Sequence, residues 1–296
     1  MHAAAQPSAP ARRVENFVAL GTWSTVKGTR DHVGKASQTG EAAVTNRSVR
    51  WFEACAAFVE FLCAVCRCLV TGPRYLAETL RVMDLLIRRC LIPVGLAVAP
   101  VGAVISLQGA GLFRMFGAES LLSSLLATAI FREYSPALAS VMVAAQAGSS
   151  IAARIGTMKV RGQIDALAVM SVDPIRYVVV PGLIACIIVT PLLSVLTTLL
   201  GLVSGWFFAV PVMGVDHGSF LANLYAQVSL VDLWVGMGKC MAFGTAVGLI
   251  AGFLGLRTSG GATGVGKAAN DTVTMTIVLI LIADYFVSML LLRLGV

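Results

Sequence analysis

Long apolar runs alternate with shorter charged segments along the chain, and this pattern predicts five membrane-spanning helices. The runs cover residues 90–113, 120–148, 178–208, 232–256 and 272–293. Each is long enough for the ~20 residues that cross a bilayer as a helix. Prolines inside the first and third runs indicate bent helices whose freed backbone groups are satisfied by neighbouring helices or by a cavity. The predicted fold class is therefore an all-α integral membrane protein.

Two charged stretches precede the first run. Residues 1–46 are polar and rich in small residues, which predicts a disordered cytoplasmic tail. Residues 49–89 mix apolar and charged positions, which is typical of helices that lie on a membrane surface, and Gly72-Pro73 divides them into two interfacial helices. Residues 47–296 then form one membrane domain.

A polar segment, residues 154–176, lies between the second and third runs. Its apolar positions Ile164, Leu167 and Met170 give it one apolar face, so we predict a short amphipathic helix on the cytoplasmic side. Asp173-Pro174 is expected to end this helix.

A few polar residues lie inside the apolar runs. Arg132 and Glu133 fall near the middle of the second span, where a charge costs about 2.5–3.5 kcal/mol on insertion scales, so they are expected to face the bundle interior or a wet cavity. Neighbours on a helix point ~100° apart and bond each other poorly. At least one of the two therefore has another partner, either a lipid headgroup, water or a neighbouring helix; the alternative is a pair that neutralises itself within the bundle. We place Gln108 of the first span at the same cavity, and Asp284 of the fifth span is either a second intramembrane acid or a residue that snorkels to the interface.

Composition and charge agree with a membrane protein. The chain of 296 residues is 57% hydrophobic and 12% charged, whereas a soluble domain carries about 25% charged residues. The net charge of +7 comes from basic residues beside the apolar runs rather than from a nucleic-acid motif. By the positive-inside rule these residues predict a cytoplasmic N-terminus and an external C-terminus.

Two weak motifs are set aside. The seven cysteines include Cys63-x-x-Cys66, but no second pair accompanies it, so we predict reduced thiols and no metal site. Residues Gly261–Lys267 match the start of a phosphate-binding loop, but Ala268 stands where Ser or Thr is needed for Mg²⁺. We interpret residues 257–271 as a flexible, glycine-rich cytoplasmic hairpin, and we find no catalytic constellation.

Several blocks carry a resemblance that covers roughly residues 50–296. They read F-R-E-Y-S-P-A-L from Phe131, A-G-S-S-I-A-A-x-I-G-T-M-K-V from Ala147, Q-I-D-A-L from Gln163, V-D-P-I-R-Y-V-V-V-P from Val172, and T-S-G-G-A-x-G-V-G-K followed by I-A-D-Y-F. In these blocks the chain resembles the MlaE/YrbE permeases of MCE-type ABC lipid transporters.

The resemblance implies a transport subunit rather than an enzyme, in the inner membrane of a bacterium. It implies a dimer of permeases (two copies or a paralogous pair), a lipid substrate, an MCE-domain protein on the far side, and a separate ABC ATPase that binds the ATP, so that the permease needs no cofactor. Arg132 and Glu133 would lie by the lipid cavity. The polar segment would be the coupling helix, with Arg154, Lys159, Arg161, Gln163, Asp165, Asp173 and Pro174 at the ATPase contact.

Three positions depart from the family pattern, and other functions stay open. Arg154 and Gly162 stand where the family usually has Glu, and Gly182 where it usually has Arg. The two lost acids make the coupling surface more positive, which suggests a different ATPase surface or one member of a heterodimer. The alternatives are an ion-coupled secondary transporter, with Arg132, Glu133 and Asp284 as its relay, and a non-transporting scaffold. The lipid and the direction of transport are not fixed by these residues.

Overall fold

The computed structural model describes residues 56–69 and 76–294, and every regular element in them is helical. A single 3₁₀ turn, Glu119–Leu121, separates the second and third helices. The helices are α1 (56–69), α2 (Leu76–Met115), α3 (Leu122–Val160), α4 (Gln163–Val169), α5 (Ile175–Val212), α6 (His217–Gln227), α7 (Leu230–Leu256) and α8 (Gly261–Leu294).

Five of these helices, α2, α3, α5, α7 and α8, are long and apolar enough to cross a membrane. The predicted all-α integral membrane fold is thus confirmed. The central helix is α5, since 72% of its most apolar stretch is buried, against 11% for α8 at the periphery. Helices α2 and α7 pack most extensively against α5.

Small residues allow α7 to approach α5 closely. A Cβ atom added at Gly244 would lie 2.6 Å from the carbonyl oxygen of Cys186, and one at Gly248 would lie 2.7 Å from Leu183. Helices in lipid associate through such close packing because there is no water to expel between them. The glycine-rich run of α7 is therefore an interhelical surface.

The connecting elements define two ends of the bundle. We call the end that carries α1, α4 and the α7–α8 turn the α4 end, and the end that carries α6 and the α2–α3 turn the α6 end. At the α6 end, Phe220 of α6 is buried in a small cluster with Leu122, Leu126 and Ile130 of α3.

Helix α1 is packed into the bundle at the α4 end. Phe61 and Val65 are buried in the main core, and the Phe58 ring meets the Phe253 ring of α7 edge-on at 5.3 Å. The predicted tail, residues 1–46, and the start of the first interfacial helix lie outside the described residues.

The second predicted interfacial helix and the first span form one helix, α2. Val82, Leu86, Cys90, Val94 and Val98 are all buried and follow one another at intervals of four residues. This spacing keeps one continuous stripe against the bundle on both sides of the predicted boundary at residue 90. The apolar run marked where the membrane begins, not where the helix begins.

The polar segment between spans two and three is divided differently from its prediction. Residues up to Val160 continue α3, and a turn at Gly162, with φ of +71°, separates them from the short helix α4. Glycine adopts this left-handed conformation without a steric penalty. Pro174 precedes the first residue of α5 and so begins a helix instead of ending one.

The prediction of a flexible hairpin over residues 257–271 is wrong. The turn is short, with positive φ at Gly260 and Gly261, and α8 begins at Gly261. Ala268, Thr272 and Thr276 are buried at intervals of four residues, so the first turns of α8 pack against the last part of α3. The residues that mimic a phosphate-binding loop are thus helical.

Candidate functional site

Arg132 and Glu133 lie in a π-helical turn, Ile130–Tyr134, within α3. Such wide turns occur mostly as single insertions and often at functional sites. Pro136 has no N–H to donate to the carbonyl of Arg132 four residues earlier. The local sequence therefore leaves a backbone oxygen to be satisfied from outside the helix.

Lys239 of α7 satisfies that oxygen and forms the centre of a buried polar cluster. Its ammonium donates to the Arg132 carbonyl at 2.9 Å and to the Ser288 hydroxyl at 2.7 Å, and it lies 3.4 Å from carboxylate oxygens of both Glu133 and Asp284. The side chain is only 2% exposed. A buried ammonium is stable only when it is paired and hydrogen-bonded, and these contacts meet that requirement.

Arg132 makes a separate ion pair with α7. Its guanidinium lies 2.7 Å from the Asp232 carboxylate. Asp232 sits in the first turn of α7, where its carboxylate also accepts from the backbone N–H of Ser229 in a capping box. Arg132 and Glu133 thus bind two different residues of α7, as expected for neighbours that point apart on a helix.

Asp284 and Ser288 bring α8 into the same cluster. They are four residues apart and so share one face of α8. The Ser288 hydroxyl donates to Glu133 at 3.0 Å, and the Asp284 side chain faces Lys239. Asp284 is therefore in contact with a buried cation of a neighbouring helix.

A cavity of about 270 Å³ opens beside this cluster. Its polar wall contains the four charged side chains of α3 and α7 together with Ser288 and Thr128. Its apolar wall consists of Leu125, Ala129, Val235, Leu291 and Leu292. Lys239 is nine residues into α7, or about 14 Å along the helix axis, so the cavity lies in the half of the bundle nearer the α6 end.

The structure brings together some of the residues that were predicted to lie at a cavity. Arg132 and Glu133 line this cavity, whereas Gln108, predicted beside them, is exposed on α2 and is not among the lining residues. Asp232 and Lys239, which lie in the predicted fourth span, were not assigned to the site from the sequence. The rule that singles out Arg132, a charge inside an apolar run, applies equally to Lys239 and would have found it.

The residues predicted to contact an ATPase lie together at the α4 end. Arg154 pairs with Glu78 of α2 at 2.5 Å, and Lys159 pairs with Asp165 at 2.9 Å. Of the remaining residues predicted at this contact, Arg161 and Gln163 are exposed and Pro174 is buried. The Arg154 charge is thus neutralised within the chain rather than presented as added positive charge.

Asp173 connects this segment to α1. Its carboxylate accepts from the backbone N–H of Ile175 at 2.9 Å and from the Cys68 thiol at 3.6 Å. Burial, together with the adjacent Asp173 carboxylate, raises the pKa of the Cys68 thiol to about 11. Cys68 is therefore a protonated donor at neutral pH and a poor nucleophile.

One titratable group at the α6 end is also perturbed. Hydrogen bonds from the Ser219 backbone N–H and hydroxyl lower the pKa of Asp216, which caps the start of α6. The cap is present above the usual pKa of an aspartate and is lost only as the pH falls through this lowered value. The start of α6 thus stays capped throughout the neutral range.

No group of His, Cys, Asp and Glu side chains suited to a metal ion occurs among residues 56–69 and 76–294. Cys63 and Cys66 are exposed, whereas Cys90, Cys186 and Cys240 are buried. None of these five thiols forms a disulfide bond. The described part of the chain offers a charged cavity between spans as its candidate site.

Five membrane-length helices with a charged cavity among three of them are the architecture of an integral membrane protein. Residues 79–290 match the model of the family described as Permease MlaE. The chain belongs to the MlaE permease family.

Several relatives carry the name "Probable ABC transporter permease protein". One from Rickettsia felis is 32% identical over 246 residues, which are 83% of this chain and 95% of the relative. One from Synechocystis sp. is 35% identical over 191 residues, 64% of this chain and 73% of the relative. This protein is accordingly an ABC permease subunit, a class that works with an ATPase.

A plant protein is also similar. The Arabidopsis thaliana protein named TRIGALACTOSYLDIACYLGLYCEROL 1, chloroplastic, is 33% identical over 188 residues, which are 64% of this chain and 54% of that protein. Its name is that of a lipid.

Proposed function

We propose that this protein is the membrane subunit of an ABC transporter that moves lipid across or between membranes. The observation that carries the proposal is the cavity between α3, α7 and α8, which joins an ion-paired wall to an apolar wall. A lipid is an amphiphile, so its headgroup suits the ion-paired wall and its hydrocarbon chains suit the apolar wall. Family membership and the lipid in the name of the plant relative support the same substrate class.

The α4 end is the proposed ATPase contact. Val169 and Met170, at the end of α4, are 86% and 64% exposed, which suits insertion into a partner. The ATP would be bound by that partner, so the permease itself holds no cofactor and catalyses no reaction. Because α3 runs unbroken from the cavity to Val160, a push at the α4 end would reach the cavity through one helix.

The remaining assignments follow from the resemblance and the charge pattern. We propose that the α4 end is cytoplasmic and the α6 end external, in the inner membrane of a bacterium, since basic residues concentrate at the α4 end. A second permease copy or paralogue would complete the transporter, and an MCE-domain protein would meet the α6 end to pass lipid onward.

Co-purification tests the proposal. The tagged protein is extracted in a mild detergent, and the proteins and lipids in the eluate are identified by mass spectrometry. We expect an ABC ATPase, an MCE-domain protein and bound lipid, and a Glu133→Lys variant that keeps the ATPase but loses ATP-dependent lipid transport. Transport that follows a proton gradient with no ATPase present would contradict the proposal and favour an ion-coupled secondary transporter.

A further inference from the structure

The charges around the cavity do not balance. The groups that line it, or pair with those that do, are two cations, Arg132 and Lys239, and three carboxylates, those of Glu133, Asp232 and Asp284. With all five ionised the cluster carries one excess negative charge among the described residues. An uncompensated charge between apolar helices is unfavourable, so the cluster favours a further positive charge, which a proton, a free ion or a group of a ligand can supply.

The excess charge is located by the distances. Arg132 and Asp232 neutralise each other at 2.7 Å. Lys239 is shared, because Glu133 and Asp284 each lie 3.4 Å from its ammonium while its shorter bonds go to the neutral oxygens of Ser288 and the Arg132 backbone. One ammonium thus serves two carboxylates.

Of those two carboxylates, Glu133 is the one that is open to the cavity. Its side chain is 48% exposed and lines the cavity, whereas the Asp284 side chain is 14% exposed and does not. One Glu133 oxygen faces Lys239 and the other accepts from Ser288. A carboxylate oxygen has two acceptor sites, so both can receive a further donor from the cavity.

We propose that the cavity selects lipids whose headgroup carries an ammonium group, and that this group pairs with Glu133. The inference rests on the proposed lipid-transport function and names its substrate class. The headgroup ammonium pairs with the excess carboxylate at the polar wall, and Leu125, Leu291 and Leu292 of the apolar wall contact the attached hydrocarbon. An anionic headgroup would instead raise the net negative charge of the cluster to two.

A lipid competition experiment tests this. The permease purified with its ATPase is incubated with micelles that contain equal amounts of phosphatidylethanolamine, phosphatidylglycerol and diacylglycerol, and the retained lipids are counted by mass spectrometry. We expect the ethanolamine lipid to be enriched in the wild type. Glu133→Gln should reduce this enrichment about tenfold, which corresponds to ~1.4 kcal/mol.

The matched control is Glu119→Gln. Glu119 is 41% exposed and ion-paired with Arg114 at 3.2 Å, but it lies in the α2–α3 turn away from the cavity. This variant should keep the wild-type preference. An effect as large as that of Glu133→Gln would overturn the inference, because any lost carboxylate would then suffice.

Two wild-type results would also overturn it. Enrichment of phosphatidylglycerol would show that the cavity favours anions, and equal retention of all three lipids would show that a proton or a free ion balances the cluster. These readings need no variant, so they hold even if Glu133→Gln fails to assemble. ATP-driven lipid transport without a headgroup preference refutes this inference alone, whereas a complex that neither retains nor moves any lipid refutes the proposed function itself.

Discussion

Replacing Lys239 by Met should destabilise the bundle more than any other single charge removal in it. The substitution keeps an unbranched side chain of similar length and removes the ammonium that holds Glu133, Asp284, Ser288 and the Arg132 carbonyl. Removing one partner of a buried ion pair costs about 3–5 kcal/mol, because the other charge is left uncompensated. Here two carboxylates are left, so the upper half of that range is expected.

A second substitution separates charge from packing. Adding Asp284→Asn to Lys239→Met removes one carboxylate and returns the cluster to its original net charge. Residues that share a contact couple by about 0.5–3 kcal/mol, so the double variant should be less destabilised than the sum of Lys239→Met and Asp284→Asn by an amount in that range. If the loss came from packing alone, the second change would add its own cost instead.

The assay is equilibrium unfolding in a mild detergent, followed by the loss of helical circular dichroism. Lys267→Met serves as the control, since Lys267 is an exposed lysine on the first turns of α8. The control should stay within about 0.5 kcal/mol of the wild type. The reasoning is refuted if Lys239→Met behaves like the control, or if the costs of Lys239→Met and Asp284→Asn simply add in the double variant.

Three further substitutions or reactions test the packing and the ion pairs outside the cavity. Arg154→Glu should destabilise the α2–α3 contact by about 0.2–1 kcal/mol, the usual contribution of an exposed ion pair. Adding Glu78→Arg should restore the stability in the same unfolding assay. If it does not, the 2.5 Å pair between these residues is not stabilising. Gly244→Ala should cost about 1–3 kcal/mol through overpacking, whereas Gly238→Ala on the same helix, with nothing within 4 Å of the new Cβ, should be tolerated; equal effects would argue against close α5–α7 packing. Maleimide at pH 7.5 should label Cys68 far more slowly than the two exposed cysteines of α1, because burial raises its thiol pKa to about 11; equal rates, read by peptide mass spectrometry, would contradict the Asp173 contact.

Much of the fold follows from hydropathy, because a bilayer selects helices by length and apolar content. Hydropathy reports where lipid lies, however, and not where a helix begins or ends. The predicted first span starts at residue 90, but α2 starts at Leu76, because a buried stripe at intervals of four residues continues through the charged turns. The first turns of α8 were missed for the same reason, since they pack against α3 outside the apolar run.

The sequence indicated some residues of the charged cluster but not the residues that pair with them. Arg132, Glu133 and Asp284 stand out because a charge is conspicuous in an apolar run. Their partners were not assigned because Lys239 is 106 residues from Glu133 and 45 residues from Asp284. Only the packing of α3, α7 and α8 brings these residues together, and no local pattern in the sequence encodes that packing.

The segment F-R-E-Y-S-P nevertheless explains why the backbone of α3 binds a donor from another helix. Pro136 withholds the N–H that the Arg132 carbonyl would receive in a regular helix, and an unsatisfied carbonyl is costly where no water is present. A donor from another helix is therefore required at that depth, and Lys239 supplies it at 2.9 Å. An ammonium placed there by the backbone is itself unfavourable without a counter-charge, and Glu133, the residue after Arg132, supplies one. Pro136 frees the Arg132 carbonyl, Lys239 donates to that carbonyl, and Glu133 neutralises Lys239, so the proline, the π-helical turn and the ion cluster depend on one another.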